Sequence, residues 1–208
     1  MPPEASETER SAKWRTYYEK LKGRPPRETL LFALERFAEE GRDGADCRAV
    51  DLGSGGGRDT IELLRRGWRV LAIDAEPAAT EALSARPDLP EGARLETRVA
   101  RFDETDWPAV DLVNSSFALP LCPQESFPAL WRRILDSLRP GGRFAGQLYG
   151  PRDSWAGDPS ITFLERRQIE ALLEPLAIEM LDEEEDDSTT PRGQTKHWHV
   201  FHIVVRRP

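Results

Sequence analysis

The stretch AVDLGSGGGRDT, Ala49 to Thr60, decides the fold. A short apolar run carrying Asp51 leads into Gly53, Gly55, Gly56 and Gly57, and then into residues of helical pattern. Glycines at a strand-to-helix turn permit positive φ and let a ligand approach the main chain closely. The N–H groups at the start of the helix beyond them point at whatever binds there. About twenty residues on, the next apolar run, VLAID, ends at Asp74, where an acid can accept hydrogen bonds from both ribose hydroxyls of a nucleoside-containing cofactor.

Outward from this loop, short apolar runs alternate with helical stretches. The expected strands are Arg48 to Leu52, Arg69 to Asp74, Leu95 to Ala100, Asp111 to Ser115 and Arg143 to Tyr149. Asp59 to Arg66, Pro77 to Arg86 and Glu125 to Leu138 are expected helices. Leu164 to Leu173 reads as a further helix, and Ala177 to Glu183 and His197 to Val205 as two strands joined by an acidic turn. Two strands joined without a helix imply an antiparallel hairpin. The expected architecture is α/β and doubly wound: a mainly parallel seven-stranded sheet, helices on both faces, and an antiparallel C-terminal strand. Ahead of it, residues 1–8 read as a flexible tail. Glu9 to Leu21 read as a helix with Trp14, Tyr17, Tyr18 and Leu21 on one face. A second helix follows, with Pro26 as its first residue and Leu30, Leu34 and Phe37 in its apolar stripe. Residues 9–208 form a single expected domain.

Composition narrows the partners. The chain has 208 residues, with 29 Lys and Arg against 37 Asp and Glu, for a net charge of −8. Nucleic-acid binders concentrate basic residues to displace counterions from phosphates, and here the arginine doublets are scattered over separate helices. No nucleic-acid partner is expected, and no membrane one, because no run of 18 apolar residues exists. The opening MPPEASETER has neither the basic flank nor the apolar stretch of a secretory signal. Cys47 and Cys122 are too few for a disulfide framework. A cytoplasmic location is expected.

The dinucleotide fingerprint G-x-G-x-x-G fails here: counted from Gly53 its third glycine falls on Arg58, and from Gly55 on Thr60. The sequence instead gives D-x-G-x-G-x-G from Asp51 to Gly57, and in this it resembles the Rossmann-like S-adenosylmethionine-dependent methyltransferases. The general look of the GGGRDT loop and the compact size is similar to the tellurite-resistance branch, whose members act on small molecules. The resemblance implies S-adenosylmethionine as cofactor and S-adenosylhomocysteine as product. It implies that Asp51, Gly53, Ser54 and Gly55 hold the methionine portion, and that Asp74, with Ala75 beside it, holds the ribose. Phe102 and Asp103, in RFDETDW, are implied at the adenine. Asn114 and Ser115, at the end of the fourth strand, are implied as cofactor contacts. LRPGGRF, Leu138 to Phe144, looks like the family's turn into strand five. The N-terminal helices, residues 9–40, are implied as a lid, with Trp14, Tyr18 and Arg27 toward substrate or cofactor.

The acceptor chemistry is less legible. All three histidines lie in HWHVFHIVV, where period two puts His197 and His199 on one face and His202 on the other. A three-histidine metal site conflicts with that alternation, and no metal is expected. His199 or His197, beside Tyr149 at the end of strand five, is the expected base or orienting group, with His199 preferred; packing between strand and helix is the alternative. Cys122 either faces the pocket or is a buried structural thiol. A small-molecule methyltransferase is the leading expectation. A cofactor-binding module without catalysis, acting as sensor or partner subunit, is the alternative, and a nicotinamide oxidoreductase the weaker one.

Overall fold

A computed structural model describes residues 23–189, 193 and 195–208. The helix expected over Glu9 to Leu21, with Trp14 and Tyr18, lies outside them. The strands are β1 (Arg48–Leu52), β2 (Arg69–Asp74), β3 (Arg94–Val99), β4 (Val110–Ser115), β5 (Leu138–Tyr149), β6 (Ala177–Thr189) and β7 (Thr195–Arg206). They form one seven-stranded sheet in the order β3-β2-β1-β4-β5-β7-β6. β1 pairs in parallel with β2 and β4, β2 with β3, and β4 with β5, whereas β7 is antiparallel to both β5 and β6. The strand order reverses between β1 and β4, so the ends of these strands flank the crevice where open α/β sheets take ligands.

The central strands β1, β2, β4 and β5 are buried along nearly their whole length because both faces are covered. The helices α1 (Glu28–Glu39), α2 (Arg58–Arg65) and α3 (Pro77–Ser84) supply one core with Leu30, Leu34, Phe37, Ile61, Leu64 and Leu83, packed on Ala49, Val70 and Val204. On the opposite face α4 (Phe127–Ser137) and α5 (Arg166–Leu173) bring Leu130, Trp131, Ile134, Ile169 and Leu173 against Val50, Val113, Phe144 and Phe201. A capping box starts α5, in which Glu165 and Gln168 each bond the other's backbone N–H. Arg143 is fully buried in β5, where it pairs with Glu179 of β6 at 2.7 Å and with Glu40 just past α1.

Three local expectations need correction. Pro26 precedes the second N-terminal helix, which starts at Glu28 with Arg27 as its cap. LRPGGRF is a wide irregularity within β5 rather than a turn before it: Val110 pairs with Leu138, but Leu112 pairs with Arg143. The acidic run Asp182 to Asp187 is strand, not turn. It belongs to the edge strand β6, and each of its residues has a partner on β7, from Asp182 opposite His202 to Asp187 opposite His197. The hairpin therefore extends past Tyr149, the last residue of β5, which pairs with Val200. Residues Thr195 to His199 project beyond the end of the parallel strands.

Candidate active site

Between β1 and α2 the glycine loop does what its composition suggests. Gly53 has φ +70°, and a Cβ there would stand 2.2 Å from the Ala118 Cβ, so a side chain would close the approach to the loop. Gly57 caps α2 in the left-handed region, at φ 77°. The N–H groups of Gly53 and Ser54 donate to the Ile73 carbonyl at 2.8 and 3.2 Å, which ties the loop to β2. From the end of β2, Asp74 accepts the N–H of Gly55 at 2.8 Å and of Glu76 at 2.9 Å. Each of its oxygens keeps a further lone pair for a donor from a ligand.

Above this loop lies a cavity of about 590 Å³, a size suited to a nucleoside-containing molecule. Asp51, Gly53, Ser54, Gly55, Asp74, Ala75, Phe102 and Asp103 all line it, as does Arg27. Asn114 and Ser115 do not. They lie beneath the floor, where the Asn114 amide donates to Asp51 at 2.9 Å and the Ser115 hydroxyl donates to the Leu52 carbonyl at 3.1 Å. The lining also includes residues the sequence reading passed over: Arg58, Arg86, Ser116, Phe117 and Leu121. Phe117 has φ 57°, a left-handed conformation that nothing in its sequence context announces. The hydroxyls of Ser54 and Ser116 are buried with no hydrogen-bond partner among the described residues. Buried polar groups are ordinarily paired, so these two oxygens suit a ligand that hydrogen-bonds at the loop.

The floor is acidic. Asp51 is buried, and accepts the Thr60 hydroxyl at 2.5 Å and the Asn114 amide. Burial, with Asp59 nearby, pushes its carboxyl up to about 7. Burial also raises Asp74, opposed by the backbone N–H groups of Glu76, Gly55 and Ala75. Both shifts come from desolvation, which a cation entering the cavity would offset.

The expected catalytic pair is placed elsewhere. Neither Tyr149 nor His199 lines the cavity. Tyr149 is buried in an aromatic cluster with Phe117, Trp155, Phe163 and Trp198. His199 is 1% exposed, with Nδ1 accepting the Arg152 N–H at 3.1 Å and Nε2 lying 2.9 Å from Glu183. The Arg152 guanidinium donates to Glu183 and Glu185 beside that same imidazole. These contacts tie the projecting hairpin to the segment after β5. Cys122 is buried as well, its thiol pushed up to about 11 by desolvation, and it is not on the cavity wall. Trp14 and Tyr18 lie outside the described residues. Arg27 donates its backbone N–H to Asp59 at 3.0 Å, and its guanidinium carbon lies 4.1 Å from the centre of the Phe117 ring.

Residues 49–142 match the family model described as a methyltransferase domain. No curated protein matches the chain by sequence. Among solved structures the fold is similar to TehB from Haemophilus influenzae, at TM-score 0.74 and 14% identity over 94% of this chain and 67% of that one. It is also similar to magnesium protoporphyrin IX methyltransferase from Synechocystis PCC 6803 with bound SAM (TM-score 0.67, 14% identity, all of both chains). A third is the Burkholderia thailandensis 1,6-didemethyltoxoflavin-N1-methyltransferase, crystallised with its substrate and S-adenosylhomocysteine (TM-score 0.60, 22% identity, all of this chain and 92% of that one). The glycine loop, the acid that ends β2 and the match over residues 49–142 agree: that stretch is similar to a methyltransferase domain, and the fold around it is the Rossmann-like one of these structures.

Proposed function

We propose that the chain transfers a methyl group from S-adenosylmethionine to a small-molecule acceptor. The observation that carries the reading is Asp74, which grips the glycine loop through Gly55 while facing a cavity of nucleoside size. When bound, the cofactor supplies a methyl group already made electrophilic by its sulfonium. The work left to the chain is to bind, orient and exclude water, and orientation alone supplies roughly 7 to 11 kcal/mol in favourable cases.

In this proposal Asp74 accepts the ribose hydroxyls. Asp51, Gly53, Ser54 and Gly55 receive the amino-acid portion, where the buried carboxylate favours a cationic group and the unpaired Ser54 hydroxyl gains a partner. Phe102 and Leu121 give apolar wall for the base. Asp103 is ion-paired to Arg101 at 2.7 Å, which leaves it one carboxylate oxygen toward an exocyclic amine. Asn114 and Ser115 act through the floor, by holding Asp51 and β1 in place. A small acceptor is supported by the similar structures whose own substrates are a porphyrin and a toxoflavin precursor.

The test is methyl transfer from labelled cofactor by the full chain into a cell extract divided into metabolites, RNA and protein. Label in the metabolite fraction is expected. Label confined to RNA or protein would overturn the acceptor class, and cofactor binding without transfer to any fraction would leave a binding module.

A further inference from the structure

A second cavity, of about 310 Å³, adjoins the first; Arg27 and Arg58 stand in the wall of both. Its far side is built by Gln147 of β5, His202 of β7 and Glu184 of β6. The histidine that faces this space is thus not His199 but the one on the opposite face of β7. Period two explains the split: the even-numbered members of the acidic run accompany His202, and the odd-numbered ones accompany His197 and His199.

The hydrogen bonds around His202 define its chemistry. Gln147 Oε1 accepts the Phe117 N–H at 3.0 Å, which fixes the amide's orientation. Its Nε2 therefore donates, to the Thr29 hydroxyl at 3.0 Å, and faces His202 Nδ1 at 3.5 Å. On the other side of the ring Nε2 lies 2.8 Å from a Glu184 carboxylate oxygen, which only accepts. The neutral imidazole consequently carries its proton on Nε2 and its lone pair on Nδ1. A carboxylate behind the ring supports the imidazolium that forms when Nδ1 takes a proton. Unlike His199, the ring of His202 keeps partial solvent access, at 23% of its side chain.

We propose that His202, oriented by Glu184, is the general base of the methyl transfer, and that the cleft it faces binds a small acceptor bearing an O–H or N–H acid. This rests on the methyl-transfer reading above and adds the acceptor's class to it. A soft anion needs no base; a hydroxyl or N–H acceptor does. The acceptor's O–H or N–H takes the place of the 3.5 Å Gln147 contact at His202 Nδ1; its proton moves to that nitrogen and leaves its electron pair on the oxygen or nitrogen. That pair forms the new bond to carbon as the S–CH3 bond breaks, whose electrons stay on sulfur as a thioether. The imidazolium then returns the proton to solvent. Among the described residues the charged groups around this histidine are Glu184 and Asp182 from β6, Arg58 from α2, and Arg24, Arg27 and Glu28 from the entry to α1. The guanidinium groups favour the anion that forms at the acceptor.

The experiment uses 15N-labelled full-length chain saturated with S-adenosylhomocysteine, with 4-nitrophenol as the probe. Long-range 1H–15N spectra resolve the histidine rings. Expected are an Nε2–H tautomer for His202 and a response to the probe larger at His202 than at His197 or His199. In turnover with a panel of phenols, hydroxy-heteroaromatics, N–H heterocycles and thiols, His202→Gln should lose about 10²- to 10⁴-fold in kcat on the O–H and N–H members. It should lose the acidic limb of the pH profile and keep the product affinity of the native chain. Glu184→Gln alters an exposed side chain, and should lower the same rate with the fold intact. An Nδ1–H tautomer, an unperturbed His202, a panel in which only thiols are methylated, or an undiminished rate in His202→Gln would each overturn the assignment. Failure of the native chain to bind S-adenosylhomocysteine would instead overturn the methyl-transfer reading on which it rests.

Discussion

Asp74 and Gly55 are joined by a 2.8 Å hydrogen bond from the glycine N–H to the carboxylate. The acid that ends the second strand thereby fixes the loop that follows the first. One side chain both shapes the cradle and offers lone pairs to whatever lies in it. The same tie offsets part of the rise in proton affinity that burial gives this carboxylate.

Gly57 sets the entry into α2. A Cβ there would lie 2.2 Å from Leu83 Cδ1, in a backbone of φ +77°. Gly57→Ala therefore combines left-handed strain with a clash against a buried leucine, for a loss of roughly 1 to 3 kcal/mol. Thermal or urea unfolding of the variant reads this directly. A variant as stable as the native chain would show that the loop relaxes freely, against its packing on α3.

Asp51 predicts a proton linkage. Its carboxyl is raised from 3.8 to about 7 in the folded chain. A raised acid favours the folded state while protonated, so stability falls as pH climbs from the unfolded value toward about 7. A positively charged ligand beside it favours the ionised form and expels the proton. Binding of S-adenosylmethionine should release protons near pH 6.5, roughly the window in which a group of this kind is half-charged. Its affinity should rise with pH. Calorimetry in two buffers of different ionisation enthalpy measures the release; binding with no proton exchange would contradict the placement of the cation above Asp51.

Arg143 holds α1 and β6 to the middle of the sheet through Glu40 and Glu179. Arg143→Leu removes the shared cation while both carboxylates keep some contact with water. The loss should be about 3 kcal/mol, the low end for breaking a buried pair. The Arg143 guanidinium holds Glu40 below the usual carboxylate range. A depressed acid stabilises the fold above its unfolded value, and that contribution is lost as pH falls through the folded one. Arg143→Leu should accordingly flatten the acid side of the stability profile. Unchanged acid sensitivity would place the effect outside this pair.

The sheet was legible because its signals are local. A glycine turn between an apolar strand and a helix, and alternation of strand and helix, both survive without tertiary information. The acidic strand was not legible. Six consecutive acids have neither apolar alternation nor strand preference, and they are extended because β7 and its neighbours supply partners across the pairing: the Arg152 and Arg166 guanidinium groups, and histidine rings as hydrogen-bond partners. Histidine alternation was readable, yet which face met a cavity depended on β7 inserting between β5 and β6, a fact of topology. His199 therefore drew the attention that His202 warrants. The positions of Ser116 and Phe117 in the wall follow from a backbone conformation that sequence does not reveal.

The most direct test of the account is calorimetric titration of the full chain with S-adenosylhomocysteine and, separately, with NAD, repeated on a folded Asp74→Ala variant. The account predicts saturable binding of S-adenosylhomocysteine, none of NAD, and a loss of roughly 1.5 to 3 kcal/mol in the variant, the worth of hydrogen bonds to a charged group. Equal affinity of the variant and the native chain, or a native chain that prefers NAD, would contradict it.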